Sequence, residues 1–259
     1  MSQNPLIGLM NPKSIAIVGA GNNPMKMGTM HALSILKDGY QGTLYCVHPK
    51  EQSVLGTPTY KTVADIPETP ELAFIVVPSE HLPSLMEDFG KKGTKYAVVI
   101  TAGFKETGGE GKKQEELINS IAARYGMRFI GPNCMGIINS QISLNTTVMR
   151  LETGPGMLGM ASQSGTYVTQ VLPYLKERGI RFSKAISVGN EANINIIDAL
   201  EYLGYDEHTT AISLYIEGIR DVARFLDVAR KITPGKPVLA QYIGGTEAGA
   251  RSGMSHTGA

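Results

Sequence analysis

At 259 residues the chain is long enough for one large domain or two modest ones, each with its own core. Hydrophobic residues make up 42% and charged residues 18%, and a net charge of +1 gives no electrostatic reason to expect nucleic acid or an anionic membrane as partner. No apolar stretch approaches the roughly 20 residues of a bilayer span, no cleaved-leader pattern opens the chain, and Cys46 and Cys134 are too few and too far apart for a disulfide framework or a zinc site.

A reducing cytoplasm is therefore the expected compartment, and no metal centre is expected. Short apolar runs alternate with amphipathic segments along the chain. Ser14–Gly19 reads as a buried strand, followed by a glycine loop and a helix over Gly28–Asp38. Strands are expected at Thr43–His48, Leu72–Val77, Lys95–Thr101 and Met127–Ile130, with helices over Leu82–Lys92 and Glu110–Tyr125. Strands separated by single helices imply right-handed crossovers and a parallel, doubly wound sheet. The rhythm lapses across Gln141–Gly156, where Thr, Asn, Gly and Pro accumulate. This lapse sets the expected boundary between a Rossmann-like domain at 1–145 and a smaller flavodoxin-like α/β domain at 146–259. In the second domain, strands are expected at Met157–Ala161, Phe182–Val188, Thr210–Ile216 and Pro237–Tyr242. Helices are expected over Ser164–Arg178, Ile194–Leu203 and Ile219–Lys231. The segment after Tyr242 is glycine-rich and stops on a functional-looking loop, so the second domain is expected to be completed by further chain or by another subunit.

Gly19-Ala20-Gly21 lies between a strand and a helix, the context of a phosphate-binding turn. A dinucleotide fingerprint is incomplete there, because Pro24 takes the third glycine position. The second strand ends in His48-Pro49-Lys50 rather than in an acidic residue that would grip a ribose diol. A lysine there favours a ligand with an extra phosphate near its ribose, as in CoA or NADP; a turn serving only helix–strand packing is the plainer alternative. Val77-Pro78, Thr101-Ala102 and Asn133-Cys134 end the next strands and would line the same crevice. Cys134 has no evident histidine partner, so packing or ligand lining is expected rather than covalent chemistry.

In the second half, Ser162-Gln163-Ser164-Gly165 joins a strand to a helix, where hydroxyls and backbone N–H groups at a helix N-terminus make an anion cradle. A simple serine N-cap would look the same. His256 sits in Ser255-His256-Thr257-Gly258-Ala259 after the last strand, and Glu217 follows the strand Thr210–Ile216. Neighbouring parallel strands bring these two to one edge. There a carboxylate can fix the imidazole tautomer and leave the other nitrogen free to attack phosphorus.

With these residues in place, the chain resembles the α subunit, or α half, of ADP-forming acetate–CoA ligases, which are similar to the succinyl-CoA synthetase α subunit. The motifs that carry the resemblance are SIAIVGA, the proline–lysine after the second strand, ITAGFKETGGEG, GPNCMGIIN, ASQSG, SVGNEAN, LYIEGI and SHTGA, in one order over nearly the whole length. The resemblance implies a CoA-binding first domain, contacted through Gly19, Gly21, Lys26, Pro49, Lys50, Val77, Pro78, Thr101, Ala102, Asn133 and Cys134. It implies a phosphorylated histidine at His256, oriented by Glu217, with Ser162, Gln163, Ser164 and Gly165 holding the phosphoryl group. The implied reaction converts acyl-CoA, ADP and phosphate into acid, ATP and CoA through an acyl phosphate and a phosphohistidine. ADP or ATP with Mg2+ would belong to an ATP-grasp β subunit or fused region, in a hetero-oligomer or a homodimer. Tyr242, Gly245 and Asn193 stand where many relatives carry lysine, arginine and aspartate. The rival expectations are a CoA-binding regulatory module, the synthetase-like portion of a protein acetyltransferase, and an NADP oxidoreductase.

Overall fold

The computed structural model describes residues 4–151, 154–243 and 245. It forms two mainly parallel sheets. The first begins with a short helix, α1 (Leu6–Leu9), and β1 (Ser14–Val18), whose residues after Ser14 are all buried, as a central strand covered on both faces requires. Then follow α2 (Met27–Lys37), β2 (Thr43–Val47), a hairpin of β3 (Ser53–Val54) and β4 (Thr57–Tyr60), and β5 (Leu72–Ile75). After these come α3 (Leu82–Lys92), β6 (Tyr96–Val99), α4 (Gly109–Tyr125) and β7 (Arg128–Ile130). Helices α3 and α4 both stop at a left-handed glycine, Gly93 and Gly126, where a side chain would be strained. The strand order is β3-β4-β2-β1-β5-β6-β7.

The second sheet contains β8 (Ile137–Asn139), β9 (Leu144–Asn145), β10 (Leu158–Ser162), β11 (Phe182–Ser187), β12 (Ala211–Ile216) and β13 (Val238–Tyr242), in the order β13-β12-β10-β11-β8-β9. Its helices are α5 (Gly165–Glu177), α6 (Ile196–Tyr205) and α7 (Val222–Ile232). Residues 137–145, which the sequence reading grouped with the first domain, hydrogen-bond into the second sheet, β8 lying antiparallel to β11. Strands this short, paired with a partner some 45 residues away, carry no local pattern to announce them. Helices α6 and α7 start later than expected because polar caps define their first turns. Asn195 accepts from the Ile197 and Asp198 N–H groups while Asp198 accepts from the Asn195 N–H, and Asp221 accepts from the Arg224 N–H at 2.9 Å.

One continuous apolar core joins the sheets, running from Leu6 and Leu9 of α1 to Leu200 and Leu203 of α6. The turn after β11 completes the junction in the backbone: the Asn190, Ala192 and Ile194 N–H groups donate to the carbonyls of Pro132, Gly131 and Phe129 at 2.9–3.1 Å. The carboxyl edges of the two sheets are thereby tied together. Asn193 reinforces the seam, its side-chain oxygen accepting from Arg128 Nε at 2.6 Å and from the Phe129 N–H at 3.3 Å.

Candidate functional site

Each sheet has one place where the chain reverses its direction of winding, between β1 and β5 in the first and between β10 and β12 in the second. Open α/β sheets bind ligands in the crevice outside the strand carboxyl ends at such a point. Both motif groups singled out in the sequence fall there.

At the first reversal, Gly19 has a φ of +99°, and a Cβ on it would lie 1.8 Å from the Val76 carbonyl oxygen. Only glycine lets the end of β1 lie this close to the end of β5. A Cβ on Gly28 would strike the Gly19 carbonyl at 2.2 Å, so α2 begins directly against the loop, whereas Gly21 faces open space. Lys26, the N-cap of α2, offers no side-chain bond to the first turn, which leaves helix-terminal N–H groups for an anion. Lys26, Pro49, Lys50 and Pro78 are exposed around this mouth. His48 Nδ1 shapes the loop after β2 by accepting from the Lys50 and Glu51 N–H groups at 3.2 and 2.8 Å. Asn22 ties the glycine loop to the β3–β4 hairpin through Ser53 and Leu55, a wall that sequence reasoning missed.

Other members of the predicted set have structural partners. The Thr101 hydroxyl donates to the Val77 carbonyl at 2.8 Å, joining two strand ends, while Ala102 beside it is exposed. Asn133 holds a left-handed turn, with Nδ2 3.3 Å from Asn190 Oδ1. Cys134 is 3% exposed and belongs to the core joining the sheets; its thiol donates to the Val99 carbonyl, and burial pushes it up to about 12. At neutral pH this sulfur is a packed, protonated group and not a nucleophile.

At the second reversal, Ser162, Gln163 and Ser164 are buried and Gly165 opens α5. Ser164 is the N-cap, yet its side chain makes no capping bond, and the Ser162 hydroxyl donates to the Ser164 carbonyl at 2.7 Å. The positive end of a 13-residue helix is thus presented at the sheet edge. Glu217, 7% exposed, sits one residue beyond β12. The Ile243 N–H, just past β13, donates to the Ile216 carbonyl at 2.9 Å, so the chain leaves β13 beside Glu217. His256 lies outside the described residues.

Between the sheets lies a cavity of about 620 Å³ bordered by Lys105, Glu115, Gln163, Asn190, Glu191 and Arg220. Its polar network was not legible in the sequence. Asn190, fully buried, donates to Glu106 at 2.6 Å and Glu115 at 3.0 Å, and Arg220 donates to the Asn190 and Glu191 carbonyls at 2.8 and 3.1 Å. Burial pushes Glu115 and Glu191 upward. For Glu106 burial acts the same way, but bonds from Asn190 and the Gly103 and Phe104 N–H groups outweigh it and hold the carboxyl below its usual range. Among the described residues no group of three or more His, Cys, Asp or Glu side chains could hold a metal ion, and no helix is long and apolar enough to cross a membrane.

Residues 13–140 match the family model of a CoA binding domain, and residues 155–259 that of a succinyl-CoA ligase like flavodoxin domain. The α subunit of acetate–CoA ligase [ADP-forming] II from Pyrococcus furiosus is 44% identical over 248 residues, covering 96% of this chain and 54% of that protein. Acetate–CoA ligase [ADP-forming] I from Archaeoglobus fulgidus is 41% identical over 252 residues, covering 96% and 36%. The solved acetyl-coenzyme A synthetase 1 of Ca. Korarchaeum cryptofilum, in complex with phosphate and ADP, superposes with a TM-score of 0.94 at 37% identity, covering 99% of this chain and 55% of that one. The chain therefore spans about half or less of the length of these relatives.

A CoA-binding domain joined to a succinyl-CoA ligase-like flavodoxin domain defines the class of protein. Over nearly its whole length the chain is similar to the α subunit or N-terminal part of ADP-forming acetyl-CoA synthetases.

Proposed function

We propose that this chain binds an acyl-CoA at the first reversal and passes phosphate through a phosphohistidine at the second. The observation that carries the reading is the meeting of three features at one sheet edge: the uncapped N-terminus of α5 at Ser164–Gly165, Glu217 after β12, and the exit of the chain from β13 beside Ile216.

In the first step a phosphate oxygen attacks the thioester carbonyl and CoA leaves as the thiol, giving an acyl phosphate. An imidazole nitrogen of His256 then attacks phosphorus, the bond between phosphorus and the acyl oxygen breaks, and the carboxylic acid leaves as its anion. Glu217 accepts from the other ring nitrogen, setting the tautomer and stabilising the cation formed on phosphorylation. Helix N–H groups at Ser164–Gly165, with Ser162 beside them, face the phosphoryl oxygens. The phosphohistidine finally gives its phosphoryl group to ADP on an ATP-grasp β subunit or fused region, which supplies the nucleotide site and Mg2+. Gly19, Gly21, Lys26 and Lys50 take the CoA phosphates, and Pro49, Val77, Pro78, Ala102 and Asn133 border the rest of the molecule.

The test is labelling with radioactive phosphate and acetyl-CoA in the presence of the ATP-grasp partner. The wild type should acquire an acid-labile phosphate only when the thioester is supplied. His256→Ala should abolish the label while CoA affinity stays within about twofold. Label persisting in that variant would refute the assignment. A chain that binds CoA but never becomes labelled would instead fit a CoA-sensing module.

A further inference from the structure

Gln163 lies in the segment read as the phosphate cradle, but its side chain is committed elsewhere. Its Oε1 accepts from both the Glu217 and the Gly218 N–H groups, the latter at 3.1 Å, and its Nε2 donates to the Gly218 carbonyl at 2.7 Å. The same side chain lies beside the buried Glu191 carboxyl, which burial pushes upward with the Gln163 contact acting the other way. A carboxamide has two donor hydrogens and two acceptor lone pairs. Three of these four are bonded to the Glu217–Gly218 backbone, and the residue is 5% exposed. The side chain is thus engaged mainly by the turn rather than by the cradle.

What these bonds restrain is the turn that carries Glu217. One edge of that turn is pinned to β10 by Gln163, and its far end is pinned to the turn after β11 by Arg220. We propose that Gln163 is a positioning residue, which clamps the Glu217–Gly218 turn so that the Glu217 carboxylate meets the phosphoryl-accepting imidazole, and that it does not bind the transferred phosphate. The proposal rests on the functional reading above.

The experiment is single-turnover phosphorylation of the complete α–β enzyme from acetyl-CoA, run over a series of phosphate concentrations. Gln163→Met fills a similar volume without the polar bonds. It should slow the rate constant about 10- to 100-fold, the cost of a misplaced group in a preorganised site. Half-saturating phosphate and CoA affinity should move less than about twofold. Gln163→Glu adds a signature that a scaffold role would not show. As the carboxylate it cannot donate to the Gly218 carbonyl. Once protonated it regains one O–H donor for the Gly218 carbonyl beside an acceptor oxygen for the Glu217 and Gly218 N–H groups, so its rate should recover part of the way towards wild type as pH falls. A raised half-saturating phosphate at unchanged rate would overturn the proposal by making Gln163 a phosphate contact. A Gln163→Glu rate that does not recover in acid would overturn it as well, even if Gln163→Met fails to fold. Glu217→Gln is run alongside. If it proceeds at the wild-type rate, the Glu217 assignment itself falls; if it is slow while Gln163→Met is normal, only the present proposal falls.

Discussion

Acid should loosen this protein through His31, a residue with no part in the proposed chemistry. His31 lies on α2, fully buried, with its ring 5.2 Å from that of Phe74. Its Nδ1–H donates to the Thr146 carbonyl just beyond β9, so it bridges the two sheets, while Nε2 is buried with no hydrogen-bond partner among the described residues. A charged imidazole is disfavoured there. Burial lowers the group from 6.5 to about 4, although the bond to Thr146 acts the other way. Because the folded value is depressed, the unfolded chain binds the extra proton between these values. Stability is then fully present above about pH 6.5 and falls as pH drops towards 4. With about 1.4 kcal/mol per unit, the whole effect is roughly 3 kcal/mol, of which about 2 kcal/mol appears between pH 7 and pH 5. His31→Gln keeps an N–H for the Thr146 carbonyl and cannot titrate. Urea unfolding of both proteins at pH 7 and pH 5 gives a double difference in which other titrating groups cancel. The wild type should lose about 2 kcal/mol more than the variant. A double difference below about 0.5 kcal/mol would show that His31 accepts its proton in the folded state and would refute the reasoning.

Two further outcomes test the junction and the CoA crevice. Asn190→Ala removes the donors to Glu106 and Glu115 and leaves the half-buried Glu106 and the buried Glu115 carboxyls short of a partner, so unfolding stability should drop by about 2–4 kcal/mol; a loss under about 1 kcal/mol would mean that water replaces the amide. Lys50→Glu, on the exposed loop after β2, should weaken CoA about fivefold to tenfold and dephospho-CoA much less; equal weakening of both ligands would place Lys50 away from the ribose phosphate.

What the sequence by itself determined is local. The core strands and helices are readable because burial and amphipathicity repeat within a few residues, and β1, α3 and β12 lie within a residue or two of their expected bounds. The glycine loop and the Ser162–Gly165 turn are equally legible, since strand, turn and helix follow in order. Only the tertiary structure decided what depends on distant partners. Strand β8 joins the second sheet by pairing with β11 across more than forty residues, and β9 follows by pairing with β8. Asn190 gathers carboxylates from the first domain, and His31 reaches Thr146 across the seam. Gln163 shows the limit most clearly. Its place beside a helix N-terminus reads as a phosphate ligand, yet the reversal between β10 and β12 brings Glu217 and Gly218 against it and engages its amide oxygen and one amino hydrogen. The chemical type of a side chain is written in the chain, but which of its bonds stay free for a ligand is settled by whatever the fold packs beside it.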